Sequence, residues 1–471
     1  MMSTSLPAAV AASIARVEHS LLLPAGPGVE PQRATLAERM EHFKAPGVSV
    51  AVINDYELEW ARGYGVREVG QPEPVTPDTL FQAGSISKPV AAVAVLRLVE
   101  QGRLDLDEDV NRYLTSWKVP ANGEWQPRVT LRHLLCHGGG LTVHGFPGYP
   151  RGEPVPTLVQ VLNGEPPANT PAIRVDTLPG TQFRYSGGGT SVVQQVLIDV
   201  LGTPFPDLAR ALVLERLGMR ASGYEQPLPE ARWEVAASGH WGNQGRNTPV
   251  DGQWHVYPEM AAAGLWTTPS DLARFALAVQ RAKVGRSPCV LATQLVEQML
   301  TPQVEEQIGL GFFLEGRGAA ARFGHGGGDH GFICQLTAYV EQGTGAVVMT
   351  NSYGGGDLIP EIMRAIAQEY GWPEFGPKQK APTMVNPRRL SAYAGEYELK
   401  PGVRLAVTAA DEGLSVRLSG QEAIAFSPES ETAYFSPVVD AELSFARDDK
   451  GDISGLTVRQ NGKDLPAKKV G

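Results

Sequence analysis

A serine hydroxyl becomes a competent nucleophile when a neighbouring base takes its proton. Ser85-Ile86-Ser87-Lys88 places an amine three residues beyond a hydroxyl. At the start of a helix, residues i and i+3 share a face, so the Lys88 amine can reach the Ser85 hydroxyl. Burial in an apolar helix disfavours the ammonium and suits Lys88 to the role of base. Backbone amides at the helix start, that of Ser85 among them, lie ready to bind an oxyanion. The tetrapeptide alone also arises by chance, with Ser85 a simple N-cap.

Two further strings supply what such a nucleophile needs. Tyr185-Ser186-Gly187-Gly188-Gly189 follows the turn Pro179-Gly180-Thr181. A phenol there sits on a loop that backbone can approach closely, and it can shuttle the proton if a lysine ammonium favours the phenolate. Gly324-His325-Gly326-Gly327-Gly328 ends a strand-like run. Its glycines let a substrate lie along the strand edge, and the Gly328 amide would be the second oxyanion donor. His325 would shape or polarise the site. The chain has no Gly-x-Ser-x-Gly, so the His-Gly-Gly-Gly strings at 137–140 and 325–328 cannot be the oxyanion loop that accompanies such an elbow.

These residues must be carried by elements, and the pattern supplies them. Residues 47–53 (GVSVAVI) read as a strand, Asn54-Asp55 as a turn, and 57–64 as the returning strand of a hairpin. An apolar helix runs from about Ile86 to Gln101 and ends at Gly102. Residues 104–300 are mostly helix and long loop. Strands at 323–325, 332–340 and 346–351 follow, then an amphipathic helix at 357–370. Strands at both ends with helices between predict an α+β domain: one antiparallel sheet flanked by helices, with an inserted helical subdomain. The Pro-rich, basic stretch at 375–390 reads as a linker. Beyond it, seven or eight short strands predict a small closed all-β barrel. The expected domains are 1–380 and 390–471.

With 471 residues and a net charge of −10, the chain has ample length for a core and no electrostatic footprint for nucleic acid or anionic lipid. No run of apolar residues is long enough to span a membrane. Residues 6–15 are apolar and Ala-rich, but no Lys or Arg precedes Arg16, so they read as a helix and the protein as cytoplasmic. Three cysteines, Cys136, Cys289 and Cys334, argue against a disulfide framework and read as buried small hydrophobes.

Ser-x-x-Lys, Tyr-Ser-x about a hundred residues on, and a late His-x-Gly resemble, in this order, the serine β-lactamase and penicillin-binding-protein superfamily. The closest resemblance is to class C β-lactamases, family VIII carboxylesterases and D-amino-acid-specific peptidases. Residues 131–141 (LRHLLCHGGGL), 178–189 and 261–275 (AAAGLWTTPSDLARF) are similar too, and the likeness covers roughly 35–370. It implies the β-lactamase-like fold, and an acyl-enzyme on Ser85 served by Lys88, Tyr185 and His325, with the Ser85 and Gly328 amides as oxyanion donors and no cofactor. The tail is similar to the lipocalin-like barrels that some of these hydrolases carry. Two departures weaken a β-lactamase: Gly187 stands where the family usually has Asn, and His325-Gly326-Gly327 where β-lactamases have Lys-Thr-Gly. Gly187 and Gly327 thus fall at substrate-contacting positions.

His144, Trp254, His255 and Tyr257 lie on loops with aromatic or Pro neighbours and are candidates for an acyl or leaving-group pocket. His133 and His137 have helical spacing for a metal pair, but the string lacks the Glu of His-Glu-x-x-His, so no metal is expected. Asp105, Asp107, Glu108 and Asp109 read as a solvated acidic turn. The expected partner is a small-molecule or peptide substrate, cleaved at an ester or amide. A β-lactamase, an acyl-transferring thioesterase and a sensor that acylates without turnover remain open. No feature of the sequence fixes an oligomeric state.

Overall fold

Asp55 and Tyr56 both adopt positive φ, 48° and 59°, the turn geometry that matches strand twist. They join β1 (Gly47–Asn54) to β2 (Glu57–Gly65). Late in the same domain come β3 (Phe313–Glu315), β4 (Arg322–Asp329), β5 (Phe332–Tyr339) and β6 (Gly345–Thr350). The six strands form one antiparallel sheet in the order β2-β1-β6-β5-β4-β3. The sheet is therefore built from both ends of the domain, as the pattern predicts. Its central strands β1 and β6 are covered on both faces, which is why they read as continuous apolar runs and not as alternation.

This computed structural model describes residues 7–23, 32–242, 247–286, 291–375 and 387–470, less the short stretches 401, 411–412, 420–422, 437–440, 449–450 and 461–462. Six helices matter to the site or its support: α1 (Ala8–Glu18), α2 (Ser87–Glu100), α3 (Gly187–Leu201), α4 (Met260–Ala263), α5 (Pro269–Lys283) and α6 (Gly355–Glu369). Helix α5 packs on β1, β2, β5 and β6, where Ala51, Ile53, Val347 and Met349 join the main core. Helix α6, backed by α1, covers the other side of β5 and β6. Helix α2 is an interior helix, with every residue from Ser87 to Leu98 buried, and apart from Ser87, Lys88 and Arg97 these residues are apolar.

Two expectations are adjusted. The helix predicted from Ile86 starts as a single 3-10 turn, Gly84–Ile86, that passes into α2 at Ser87. The strand predicted to end near His325 runs on to Asp329. Gly326, Gly327 and Gly328 pair with Gln335, Cys334 and Ile333 of β5. Glycine has no side chain to display an alternating pattern, so the ladder and not the residue type makes this a strand.

The chain divides into two units, Met1–His19 with Thr35–Pro373, and Ser20–Ala34 with Glu374–Gly471. The second holds a short helix, Pro387–Tyr393, absent from the sequence reading, and an eight-stranded closed barrel. The barrel strands are β7 (Gly395–Lys400), β8 (Val403–Ala410), β9 (Gly413–Leu418), β10 (Ala423–Pro428), β11 (Ala433–Phe435), β12 (Ala441–Arg447), β13 (Ile453–Gln460) and β14 (Lys463–Lys469). Tyr397↔Lys469 and Glu398↔Lys468 pair the first strand with the last and leave no open edge. Tyr397, Leu405, Phe426, Tyr434 and Phe445 help fill it. Residues 376–386 of the expected linker, and Cys289, lie outside the described residues. Cys136 and Cys334 are buried and free. Among the described residues, no helix is long and apolar enough to cross a membrane.

Candidate active site

The segment entering α2 is tied to the chain around α4. Ala83 N–H donates to the Leu265 carbonyl at 2.9 Å, and Leu265 N–H to Ser87 Oγ at 3.0 Å. Tyr224 Oη donates to the Ser87 carbonyl at 2.9 Å. Against this frame Lys88 Nζ donates to Ser85 Oγ at 2.9 Å and to the Ala262 carbonyl at 2.8 Å. The Lys88 side chain is buried, while Ser85 keeps partial exposure. The i, i+3 contact read from the sequence is therefore made, and the Ala262 carbonyl aims the amine.

Tyr185 stands across from this pair, with Lys88 Nζ 5.1 Å from its ring centroid. Glycines explain how its loop fits. Ser186 caps α3 by accepting the Gly189 N–H at 2.9 Å, while Gly187 and Gly188 donate to the His144 and Val143 carbonyls at 2.9 and 3.0 Å. A Cβ on Gly188 would stand 2.7 Å from the Thr142 carbonyl oxygen, so this docking admits no side chain. His137 holds the tyrosine from behind. Its Nδ1 accepts the Ser186 N–H at 3.2 Å, and its ring lies 4.3 Å from that of Tyr185. Burial, then the nearby Lys88 charge, pushes the His137 imidazole well below its ordinary range, which keeps it neutral. Phe313 of β3 stacks parallel to Tyr185 at 6.2 Å. The sequence reading missed both supports. In the sequence His137 reads as the head of a His-Gly-Gly-Gly string and as half of a metal pair with His133, whereas in the structure His133 serves a capping box with Thr130. Phe313 had no motif around it.

His325 points from β4 to the same place, 6.1 Å from the Tyr185 ring and 5.1 Å from Phe313. Its Nδ1 lies 2.5 Å from the Gly326 carbonyl, which makes Nδ1 the donor and leaves Nε2 with the lone pair. Nε2 is buried and has no hydrogen-bond partner. Burial, then Lys88, pushes this imidazole down to about 3, so the site holds a neutral ring here. Gly328 is exposed on the strand, and Gly327 is buried against the Ala83 carbonyl. The Ser85 segment and the Gly328 segment thus meet backbone to backbone, the arrangement that two amide donors to one oxyanion require.

The remaining candidates separate. His144 is exposed at the rim with its ring 4.9 Å from Tyr185. His255 and Tyr257 are buried. His255 Nδ1 lies 2.9 Å from the Pro147 carbonyl, and Tyr257 Oη accepts the His330 N–H at 2.9 Å. Both support the loop past β4 from behind. Trp254 packs in the core, where the Arg151 guanidinium lies over it at 4.2 Å and over Trp233 at 4.4 Å. The acidic turn is partly neutralised, Asp107 by Arg132 and Glu108 by Arg112. Among the described residues no cluster of His, Cys, Asp or Glu is placed to hold a metal ion.

Fold and site together define the class of hydrolases and penicillin-binding proteins built on the β-lactamase-like fold. A family model described as Beta-lactamase matches residues 33–369, and the chain belongs to that family. A second model, a domain of unknown function (DUF3471), matches residues 379–469 and so spans the barrel. The chain is 25% identical over 384 residues to penicillin-binding protein 4 of Amycolatopsis lactamdurans, covering 78% of this chain and 96% of that one. It is 30% identical over 206 residues to esterase EstB of Burkholderia gladioli, covering 42% of this chain and 52%, about half, of EstB. The solved structure of an octameric penicillin-binding protein homologue from Pyrococcus abyssi matches with a TM-score of 0.62 at 23% identity, over 92% of this chain and 98% of that one.

One buried acid beside the site gives a stability test. Glu259, at the start of α4, is fully buried and neither carboxyl oxygen has a hydrogen-bond partner. Burial pushes its carboxyl up to about 8, offset only in part by its own backbone amide. The unfolded chain releases this proton near the ordinary value of 4.5. The stability gained by holding it is therefore complete below about pH 4.5 and is lost as pH rises through about 8. Glu259→Gln should not stabilise the protein at pH 4. At pH 8 it should stabilise it by on the order of 1–4 kcal/mol. Denaturant unfolding at the two pH values checks this, and a variant no more stable than wild type at pH 8 contradicts it.

Proposed function

We propose that this protein is a serine hydrolase that cleaves esters, or D-amino-acid esters and amides, through an acyl-enzyme on Ser85. The observation that carries the reading is the 2.9 Å contact between Lys88 Nζ and Ser85 Oγ beside the Tyr185 ring. Lys88 takes the Ser85 proton as Oγ attacks the carbonyl. The amides of Ser85 and Gly328 hold the resulting oxyanion, and Tyr185 gives its proton to the leaving group while taking back the one that Lys88 received from Ser85. Water then attacks the acyl-enzyme and restores the serine. No step calls for a cofactor.

Charge and space support the ester reading. β-Lactams and D-alanyl peptides carry a carboxylate near the scissile bond, which a cation suits and the neutral His325 ring does not. Gly187 offers no side-chain amide to orient an acylamino group, and there is no room to add one. A Cβ there would meet Phe146 at 2.9 Å and the His144 carbonyl oxygen at 3.1 Å. The names of its relatives, an esterase and a penicillin-binding protein, span both possibilities. Activated short-chain esters should be cleaved with a kcat/KM roughly 10²-fold or more above that of a chromogenic cephalosporin. Gly187→Asn should not improve lactam turnover. A p-nitrophenyl ester, the cephalosporin and a D-alanyl amide, assayed side by side, test this. Faster cephalosporin turnover would make the protein a β-lactamase, and a burst without turnover would make it a sensor. All the residues in these roles lie in the first unit. A chain ending near Pro382 should therefore keep its esterase activity.

A further inference from the structure

Asp329 follows Gly328 on β4, and its side chain is 6% exposed. It alternates onto the same face as His325 and Gly327, the face turned toward the segment that carries Ser85. Backbone meets backbone there. A Cβ built on Gly84 would stand 2.6 Å from the Gly328 nitrogen, and one on Gly327 2.0 Å from the Ala83 carbonyl oxygen. Gly84 also has φ +49°, so glycine is required there on two counts. The amides of Ser85 and Gly328 are at or next to these touching atoms, so a shift of Gly84 against Gly328 changes their separation.

Side chains fasten this contact on both sides. Cys334, opposite Gly327 on β5, donates its Sγ–H to the Ala83 carbonyl at 3.1 Å. The Gly84 backbone amide favours the charged form of the Asp329 carboxyl, while Asp329 Oδ2 is buried without a partner. The next residue is anchored as well, by the His330 N–H to Tyr257 Oη at 2.9 Å. A carboxyl with an unsatisfied oxygen is costly to bury, and an apolar residue of the same size would avoid that cost.

We propose that Asp329 is a positioning residue for the oxyanion site: its carboxyl holds the Gly84 amide and thereby sets the Ser85 N–H against the Gly328 N–H. This rests on the acyl-enzyme reading above. Burial pushes the Asp329 carboxyl well above its ordinary range, with the Lys88 charge pulling the other way, so its neutral form is favoured. Asn, neutral and of the same shape, keeps the acceptor. Val keeps the volume and loses it.

The test compares wild type, Asp329→Asn and Asp329→Val with p-nitrophenyl acetate and with phenylboronic acid. The boronate's tetrahedral adduct on a serine places an oxygen where the oxyanion sits. Asp329→Val should lower kcat about 10²-fold with KM within about threefold of wild type, and weaken boronate inhibition by a similar factor. Asp329→Asn should stay within about fivefold of wild type on every measure. If the Val variant does not fold, Asp329→Ser, whose hydroxyl is one bond too short, carries the same expectation. The inference is overturned if Val keeps wild-type kcat, if Asn loses as much as Val, or if kcat falls while boronate affinity holds. A wild-type protein inert to both ester and boronate would instead overturn the acyl-enzyme reading, and this inference with it.

Discussion

Ser85→Ala should lower hydrolysis of every substrate by at least about 10⁴-fold, because in the proposed mechanism one acyl-enzyme serves them all. That is a loss of about 5 kcal/mol of transition-state stabilisation. The substitution removes one oxygen from a partly exposed side chain whose hydrogen bond in the structure comes from Lys88 Nζ. The 3-10 turn and α2 rest on other contacts, among them Ala83 to Leu265 and Leu265 to Ser87, so the fold should be unchanged. Steady-state rates on the ester, with thermal unfolding as a control for folding, check this. Activity within tenfold of wild type in a folded Ser85→Ala protein would place the nucleophile elsewhere.

The second large effect concerns the proton path. Lys88 has one hydrogen bond to Ser85 Oγ and another to the Ala262 carbonyl, and its amine lies over the Tyr185 ring. Lys88→Ala removes the proton acceptor and should cost roughly 10³–10⁴-fold in acylation rate. Lys88→Arg should not rescue it, since a guanidinium does not give up its proton in a protein. Tyr185→Phe keeps the ring that packs on His137 and Phe313 and loses only the hydroxyl. It should cost roughly 10²–10⁴-fold if the phenol moves the proton. Pre-steady-state acylation of the three variants separates the roles. Near-full activity in Tyr185→Phe would make the tyrosine a loop anchor and leave Lys88 to work alone.

What the sequence disclosed and what it hid differ in a physical way. Ser85 and Lys88 meet through helical geometry, so four adjacent residues sufficed to predict their contact. The hairpin, the strand at residues 345–350 and the helix at 355–369 each carry their own turn signal or periodicity, and they stand where the pattern put them. The supports of the site do not announce themselves locally. His137 turns toward Tyr185 only because it takes a left-handed conformation, φ 57°, beyond a five-residue helix. Phe313 and Asp329 reach the site through the sheet register that aligns β3, β4 and β5. The run of glycines in β4 hid four residues of strand, because alternation needs side chains to be visible. The motif order pointed to the family before any of these supports could be seen.

The central claim, a covalent intermediate on Ser85, is tested most directly by trapping it. The wild-type protein is reacted with a fluorophosphonate, weighed intact, digested and mapped by mass spectrometry. The expected result is one adduct per chain, on the peptide bearing Ser85, with none in Ser85→Ala. An adduct on any other residue, or an esterase that stays active and unlabelled, would contradict it.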